Sequence, residues 1–330
     1  MHYFRLRRAT CDGDPWATKW WSLRLWQLLL LLPLVFISLA EAWAQPTPAQ
    51  FERFKARIDE AVRVLGNNSQ LKGIPPNRRE QLAEFVSGNM LFVLLHELGH
   101  ATIGELDLPV LGKEEDAADS FASLTLIHIK SEFSERVLAE AAKGWFMADR
   151  RDKKEGEPVV YYDEHGLNPQ RAFQIVCYMV GADPNRFKDL AEETKLPTDR
   201  QQSCSEDYRK AAKSWGVLLQ PHVRGADQPK TEIDVVYSET KGKLEIVAQM
   251  AHSIRLLDGV AAQSSELVVW PAPFSLEMQT CGFINAKWDR STRKLTVCYE
   301  LAEDFTELYR DYGVPRRERC RHRCSHSPTR

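Results

Sequence analysis

Six consecutive apolar positions, Met90 to Leu95, run directly into His96-Glu97-Leu98-Gly99-His100. This pattern predicts one helix that starts at Asn77 or Arg78, after the break at Ile74-Pro75-Pro76, and ends near Gly104. A helix apolar on every side belongs inside a core. Phe121, Leu124, Leu126, Ile127 and Ile129 then form the stripe of a second helix, which opens on Glu114-Glu115-Asp116 after a turn at Leu108-Pro109 and Gly112. Val137, Leu138, Ala141, Trp145 and Phe146 predict a third over 134–150, and Phe51, Phe54, Ile58, Val62 and Leu65 an earlier one over 51–65. Further helices are expected at 172–180, 184–194 and 198–219. The charged stretch 153–163, with Gly156 and Pro158, reads as a lid or hairpin.

Beyond the polar stretch 224–231 the period changes. Strands are expected at 233–237, 267–270, 274–280 and 295–299, a helix at 244–257, a turn at Asp289-Arg290-Ser291-Thr292 and a last helix at 300–312. The order of elements implies a helix-rich α+β protein: a helical core over 45–230, and a small strand-containing C-terminal part, 231–315, of the same unit.

The two ends differ from the rest. Arg5, Arg7, Arg8, Lys19 and Arg24 precede an apolar run at 28–40, and Ala42-Trp43-Ala44 fits the small-x-small cleavage rule, so 1–44 reads as an export signal. The run is too short for a spanning helix. A periplasmic or secreted protein follows, with an uncleaved anchor as the alternative and the only expected membrane contact. The tail 316–330 is basic and expected to be disordered. Over the whole chain the charges nearly cancel, to a net −2 over 330 residues, which excludes the clustered basic face of a nucleic-acid binder.

Export changes how the seven cysteines are read. Cys11 falls in the signal, which leaves an even number for an oxidising compartment. Their order suggests the pairs Cys177 with Cys204 and Cys281 with Cys298; free buried thiols are the alternative. Cys320, His322, Cys324 and His326 alternate in a way that matches no folded zinc module.

The chemistry is concentrated around His96 and His100. Four residues apart on a helix, they share one face and can hold a single metal ion, with Glu97 next to the first ligand to act as general base on a water. Buried imidazoles need a partner. Glu115 is the best third ligand, because Asp119 lies one turn on, on the same face, and can accept the outer N–H of a ligand His. Glu114 reads as a charge complementing the helix dipole. Gly99 would let another segment approach closely. His128 fits no metal spacing; His222 and His252 are alternative donors to the cleft with only isolated helical context, and all three read as structural residues.

HExxH followed by ExxxD resembles the gluzincin metallopeptidases. The longer wording HELGHATIGELDLPVLGKEEDAADSFA, with DEHGLNPQRAFQIVCYMVGADP and NAKWDRSTRKLTVCYEL, looks like a bacterial metallopeptidase family known as a domain of unknown function. That resemblance implies a zincin-like peptidase with one Zn2+ per chain and a peptide or protein substrate. His165 and Arg171, six apart, are similar to the His-x5-Arg element of the membrane-associated CAAX-prenyl and heat-shock metallopeptidases. There the His stabilises the oxyanion and the Arg helps fix the site. This chain has Gly166 where that family has Pro, and it lacks the transmembrane helices. Two other functions remain open: a non-catalytic periplasmic module stapled by its metal, and an amidase acting on cell-wall peptide.

Overall fold

Helix α1, Arg79–Glu105, is buried on every side, from Leu82 and Phe85 through Phe92 and Leu94 to Ile103. That burial follows from its all-round apolar composition. The computed structural model describes residues 78–313, together with 56, 57, 60, 74 and 75. The expected export signal, residues 45–50, most of the predicted helix 51–65, and the tail with Cys320 and Cys324 lie outside the described residues.

After α1 the chain reverses into α2, Glu114–Ile129, and then α3, Glu132–Glu155. Ser131 caps α3 by accepting the backbone N–H of Ser134 at 3.1 Å, an interaction typically worth about 1 kcal/mol. Gly156, in the left-handed region at φ 75°, ends it. The helix therefore takes in 153–155, and 157–163 forms a loop with no strand, so the hairpin expectation is corrected. Lys153, Lys154 and Glu155 are good helix formers without an apolar period, so the pattern understates the helix there.

Helices α4, Asn168–Ala182, α5, Lys188–Glu193, and α6, Thr198–Leu219, complete the helical part. The disulfide Cys177–Cys204 joins α4 to α6. At Gly181 a Cβ would lie 2.2 Å from the Cys204 carbonyl oxygen, so only glycine permits this approach. Trp215 donates its indole N–H to Ser120 Oγ at 2.8 Å and so fastens α6 to α2.

The C-terminal part holds a four-stranded mixed sheet in the order β1-β2-β4-β3: β1 Ile233–Tyr237, β2 Phe274–Gln279, β3 Ala286–Asp289 and β4 Lys294–Cys298. Strands β1, β2 and β4 are parallel, and β3 pairs antiparallel with β4. A parallel neighbour requires a crossover. Helices α7, Glu245–Ile254, and α8, Leu256–Leu267, supply it between β1 and β2. They occupy the predicted helix 244–257 but break at Arg255, which sits left-handed at φ 52°. Arg255 donates through Nε to Asp258 Oδ1 at 3.0 Å, holding the corner.

Two strand expectations are corrected. Residues 267–270 do not form a strand: Leu267 closes α8, and Val268 makes only an isolated antiparallel bridge to Val223. Four apolar residues fit a buried helix end as well as a strand. The expected strand 295–299 ends at Cys298, and Tyr299 opens α9, Tyr299–Leu308. Helix α9 packs back on α1, with the rings of Phe85 and Phe305 edge to face at 6.3 Å. The second disulfide, Cys281–Cys298, closes the segment that carries β3. No helix among the described residues is long and apolar enough to cross a membrane.

Candidate metal centre

Helices α1 and α2 cross where neither has bulk. A Cβ on Gly99 would lie 3.0 Å from Ala118 Cα and 3.3 Å from Phe121 Cβ, so the glycine lets α2 sit directly against the two histidines. His96 and Glu97 are 4 % and 8 % exposed. Glu115 projects across from α2, and its Oε2 stands 3.1 Å from His96 Nε2 and 3.3 Å from His100 Nε2. The two Nε2 atoms are 3.2 Å apart. His96, His100 and Glu115 thus each offer an atom within 4.8 Å of the other two.

Both outer ring nitrogens face carboxylates: His96 Nδ1 lies 2.8 Å from Asp119 Oδ1, and His100 Nδ1 lies 2.8 Å from Glu114 Oε1. A carboxylate on Nδ1 keeps the proton there and leaves the Nε2 lone pair pointing inward, the tautomer that a cation requires. Asp119 is itself held by Arg171, whose Nε and Nη2 donate to its two oxygens at 2.7 and 2.6 Å. The Arg171 guanidinium lies 3.8 Å from the centre of the Trp145 ring.

Three electron-rich atoms facing one another repel unless a cation or protons lie between them. The titration of these groups reflects this. Burial works against charging His100, but hydrogen bonds to Glu115 and Glu114 win and lift its pKa to about 9. Burial likewise opposes, and Asp119 and Glu115 overcome it, in raising His96. For Asp119 burial is outweighed by His96 and Arg171, so its pKa falls to about 2. Glu115 is held far below the carboxylate range for the same reason: burial is overcome by hydrogen bonds from His100, His165 and His96. This donor set fits a divalent cation.

Glu97 points elsewhere. Its Oε2 accepts the backbone N–H of Trp288 at 2.9 Å, so strand β3 touches the site. Burial is the largest influence on Glu97 and raises its pKa, with His96 and His100 pulling the other way.

His165 sits on the loop before α4 with its side chain 47 % exposed, and its Nε2 lies 2.9 Å from Glu115 Oε2. Its backbone N–H donates to Asp163 Oδ1 at 2.8 Å. Lys113, the residue before α2, donates to the carbonyl oxygens of Asp163 and His165 at 2.9 and 3.4 Å. The structure therefore brings His96, Glu97, His100, Glu115, Asp119, His165 and Arg171 into one cluster. Cys281, Cys298 and Glu300 also lie close together, but the two cysteines are bonded to each other and offer no thiolate.

Residues 56–219 match the family model DUF4344, described as putative metallopeptidase. The chain belongs to this family. The metallopeptidase match takes in α1, α2, α4 and the His165 loop, hence every side chain in the cluster, and stops at the end of α6. Strand β3 lies beyond it. No curated protein and no solved structure matches the chain.

Sequence reasoning missed Glu114 and Trp288. Glu114 had a readable signal: once Asp119 is paired with His96, an antiparallel α2 must present the residues before Glu115 to the ring one turn further along α1. Trp288 had none, being 191 residues from Glu97.

Proposed function

We propose that this chain is an exported, zincin-like zinc peptidase in which His96, His100 and Glu115 hold one Zn2+. The observation that carries this reading is the convergence of two imidazole nitrogens and one carboxylate oxygen, with buried Glu97 adjacent but outside the set. Two His and one carboxylate are the donors of catalytic zinc, whereas structural zinc is closed and usually Cys-rich. Two disulfides suit an oxidising compartment and support export.

Bound there, zinc would supply Lewis acidity to the attacking water and the substrate carbonyl. Glu97 takes a proton from the water as the water oxygen bonds to the carbonyl carbon, and passes it to the amine as the C–N bond breaks. Trp288 fixes one oxygen of that carboxylate through its N–H and leaves the other to move the proton. His165 donates to the developing oxyanion. Asp119, braced by Arg171, holds the His96 ring and its tautomer. Substrate pairs in extended form with a strand edge. Strand β4 lies between β2 and β3, so the edge beside α1 is β3.

One observation favours a second reading. His165 Nε2 is close enough to Glu115 Oε2 to serve as a fourth donor, which would close the site and make the metal a staple. Its half-exposed position on a loop, against buried His96, favours the oxyanion role. Zinc-loaded protein and the variants Glu97→Ala and His165→Ala, tested on a peptide library with zinc quantified, separate the two. Both variants are expected to keep zinc, with rates lower by about 10²–10⁴ for Glu97→Ala and about 10²–10³ for His165→Ala. Zinc loss in His165→Ala would establish the staple. Undiminished hydrolysis in Glu97→Ala would remove the peptidase reading.

A further inference from the structure

Large apolar side chains exposed singly are ordinary; exposed ones gathered on one stretch of surface mark a contact. Among the described residues, most of the exposed large apolar side chains lie on segments bordering the metal cluster. Leu111 is 105 % exposed, Tyr161 81 % and Tyr162 91 %, and Val159 accompanies them. Leu111 belongs to the turn before α2, and the other three to the loop that ends at His165. Lys113 ties these two segments together through the carbonyls of Asp163 and His165, and His165 reaches Glu115. The apolar residues are therefore presented on a fastened rim.

Phe283 and Ile284 are exposed immediately before β3, the strand that touches the cluster through Trp288. Their loop is also fixed. The Glu300 carboxylate accepts the N–H groups of Cys281 and Gly282, the latter at 2.7 Å, and the Asn285 carbonyl accepts the Cys298 N–H at 3.0 Å. The β3 segment reaches the cluster at Glu97 through Trp288, and the rim reaches it at Glu115 through His165. In the register of β3 with β4, the backbone groups turned outward belong to Ala286 and Trp288; Glu97 takes the Trp288 N–H, which leaves the Ala286 N–H and C=O and the Trp288 C=O for an extended chain.

We infer that the site takes extended, unfolded polypeptide with bulky aliphatic or aromatic side chains on both sides of the bond to be cut. The inference rests on the peptidase reading and names its substrate class. An open strand edge recruits extended backbone, and two apolar flanks select side chains that a folded protein keeps inside. The preferred substrates are thus non-native chains and unfolded segments rather than native surfaces.

The test separates recognition from turnover. Zinc-loaded Glu97→Gln protein is titrated with two fluorescent peptides of equal length and charge, one with Leu, Phe and Tyr flanking the central bond and the other with Ser and Thr. Binding to the apolar peptide is expected to be about tenfold tighter or more. The added substitutions Leu111→Ser, Tyr161→Ser and Tyr162→Ser are expected to weaken that preference with zinc content and melting temperature unchanged, while Val217→Ser on α6 leaves it intact. Equal binding of the two peptides overturns the inference, and so does a preference undiminished by the triple substitution. A concentration-dependent dimer that the triple substitution abolishes, without any effect on peptide binding, assigns the rim to a second copy and also overturns it. Because binding is read without hydrolysis, a protein that selects apolar peptides but never cuts them refutes the peptidase reading alone.

Discussion

Glu114 illustrates how one residue changes meaning between sequence and structure. As the first residue of α2 it resembles any acid that complements a helix dipole. In the folded protein its Oε1 lies 2.8 Å from His100 Nδ1 and does for that ring what Asp119 does for His96. Carboxylates in this position orient a ligand and raise its basicity, and their loss typically weakens metal affinity about 10–100-fold. Glu114→Ala is therefore expected to lose zinc to a competing chelator about 10–100-fold more readily, with Glu114→Gln close to wild type because its amide oxygen still accepts the N–H. The side chain is half exposed, so melting of the metal-free protein should not change. Equal zinc retention in Glu114→Ala would return the residue to the dipole role. Asp119 is the costlier position: it is buried against Arg171 and His96, and stripping either partner leaves a charge away from water.

At the scale of elements, the site is a crossing of two helices whose separation is set by Gly99. Gly99→Val is expected to push α2 outward from α1, because even a Cβ would stand 3.0 Å from the Ala118 backbone. Overpacking of this kind costs about 1–3 kcal/mol, but the larger effect falls on the metal, since Glu115 moves with α2. Zinc affinity by chelator competition, set beside thermal melting, checks this; a variant that loses stability and keeps its affinity would show that Glu115 follows the rings regardless of spacing. How far the elements could be read in advance depended on where their signal was stored. Helix α1 was legible because its apolar run has no other stable placement, and the histidines, Glu115 and Asp119 because their spacing is a helical turn. The break at Arg255 was hidden, since arginine is a good helix former and nothing local marks its left-handed backbone. Strand β3 as the edge beside α1 was hidden for a different reason: strand order is fixed by pairings between distant segments, and no periodicity encodes which strand ends a sheet.

The whole molecule divides its tasks between two stretches of chain. The helical part supplies every group of the cluster, while the C-terminal sheet supplies the N–H that holds Glu97, and a second tether joins Arg293, after β3, to buried Glu105 at the end of α1. The two disulfides fall on either side of this division, and their removal should separate stability from catalysis. By the chain-entropy account, opening loops of 17 and 27 residues costs about 3 kcal/mol each, or roughly 5 °C in melting temperature for a protein of this size. Paired serine substitution at Cys281 and Cys298 frees the segment that carries Trp288, so zinc should stay while the hydrolytic rate falls. Paired serine substitution at Cys177 and Cys204 loosens α4 against α6 six residues beyond Arg171, which keeps its two bonds to Asp119, so a similar loss of melting temperature should leave the rate below the melt near wild type. Melting curves, zinc content and rates measured on both variants decide the matter. If the two lose rate equally, Glu97 is held by its own helix, and the sheet contributes only to stability.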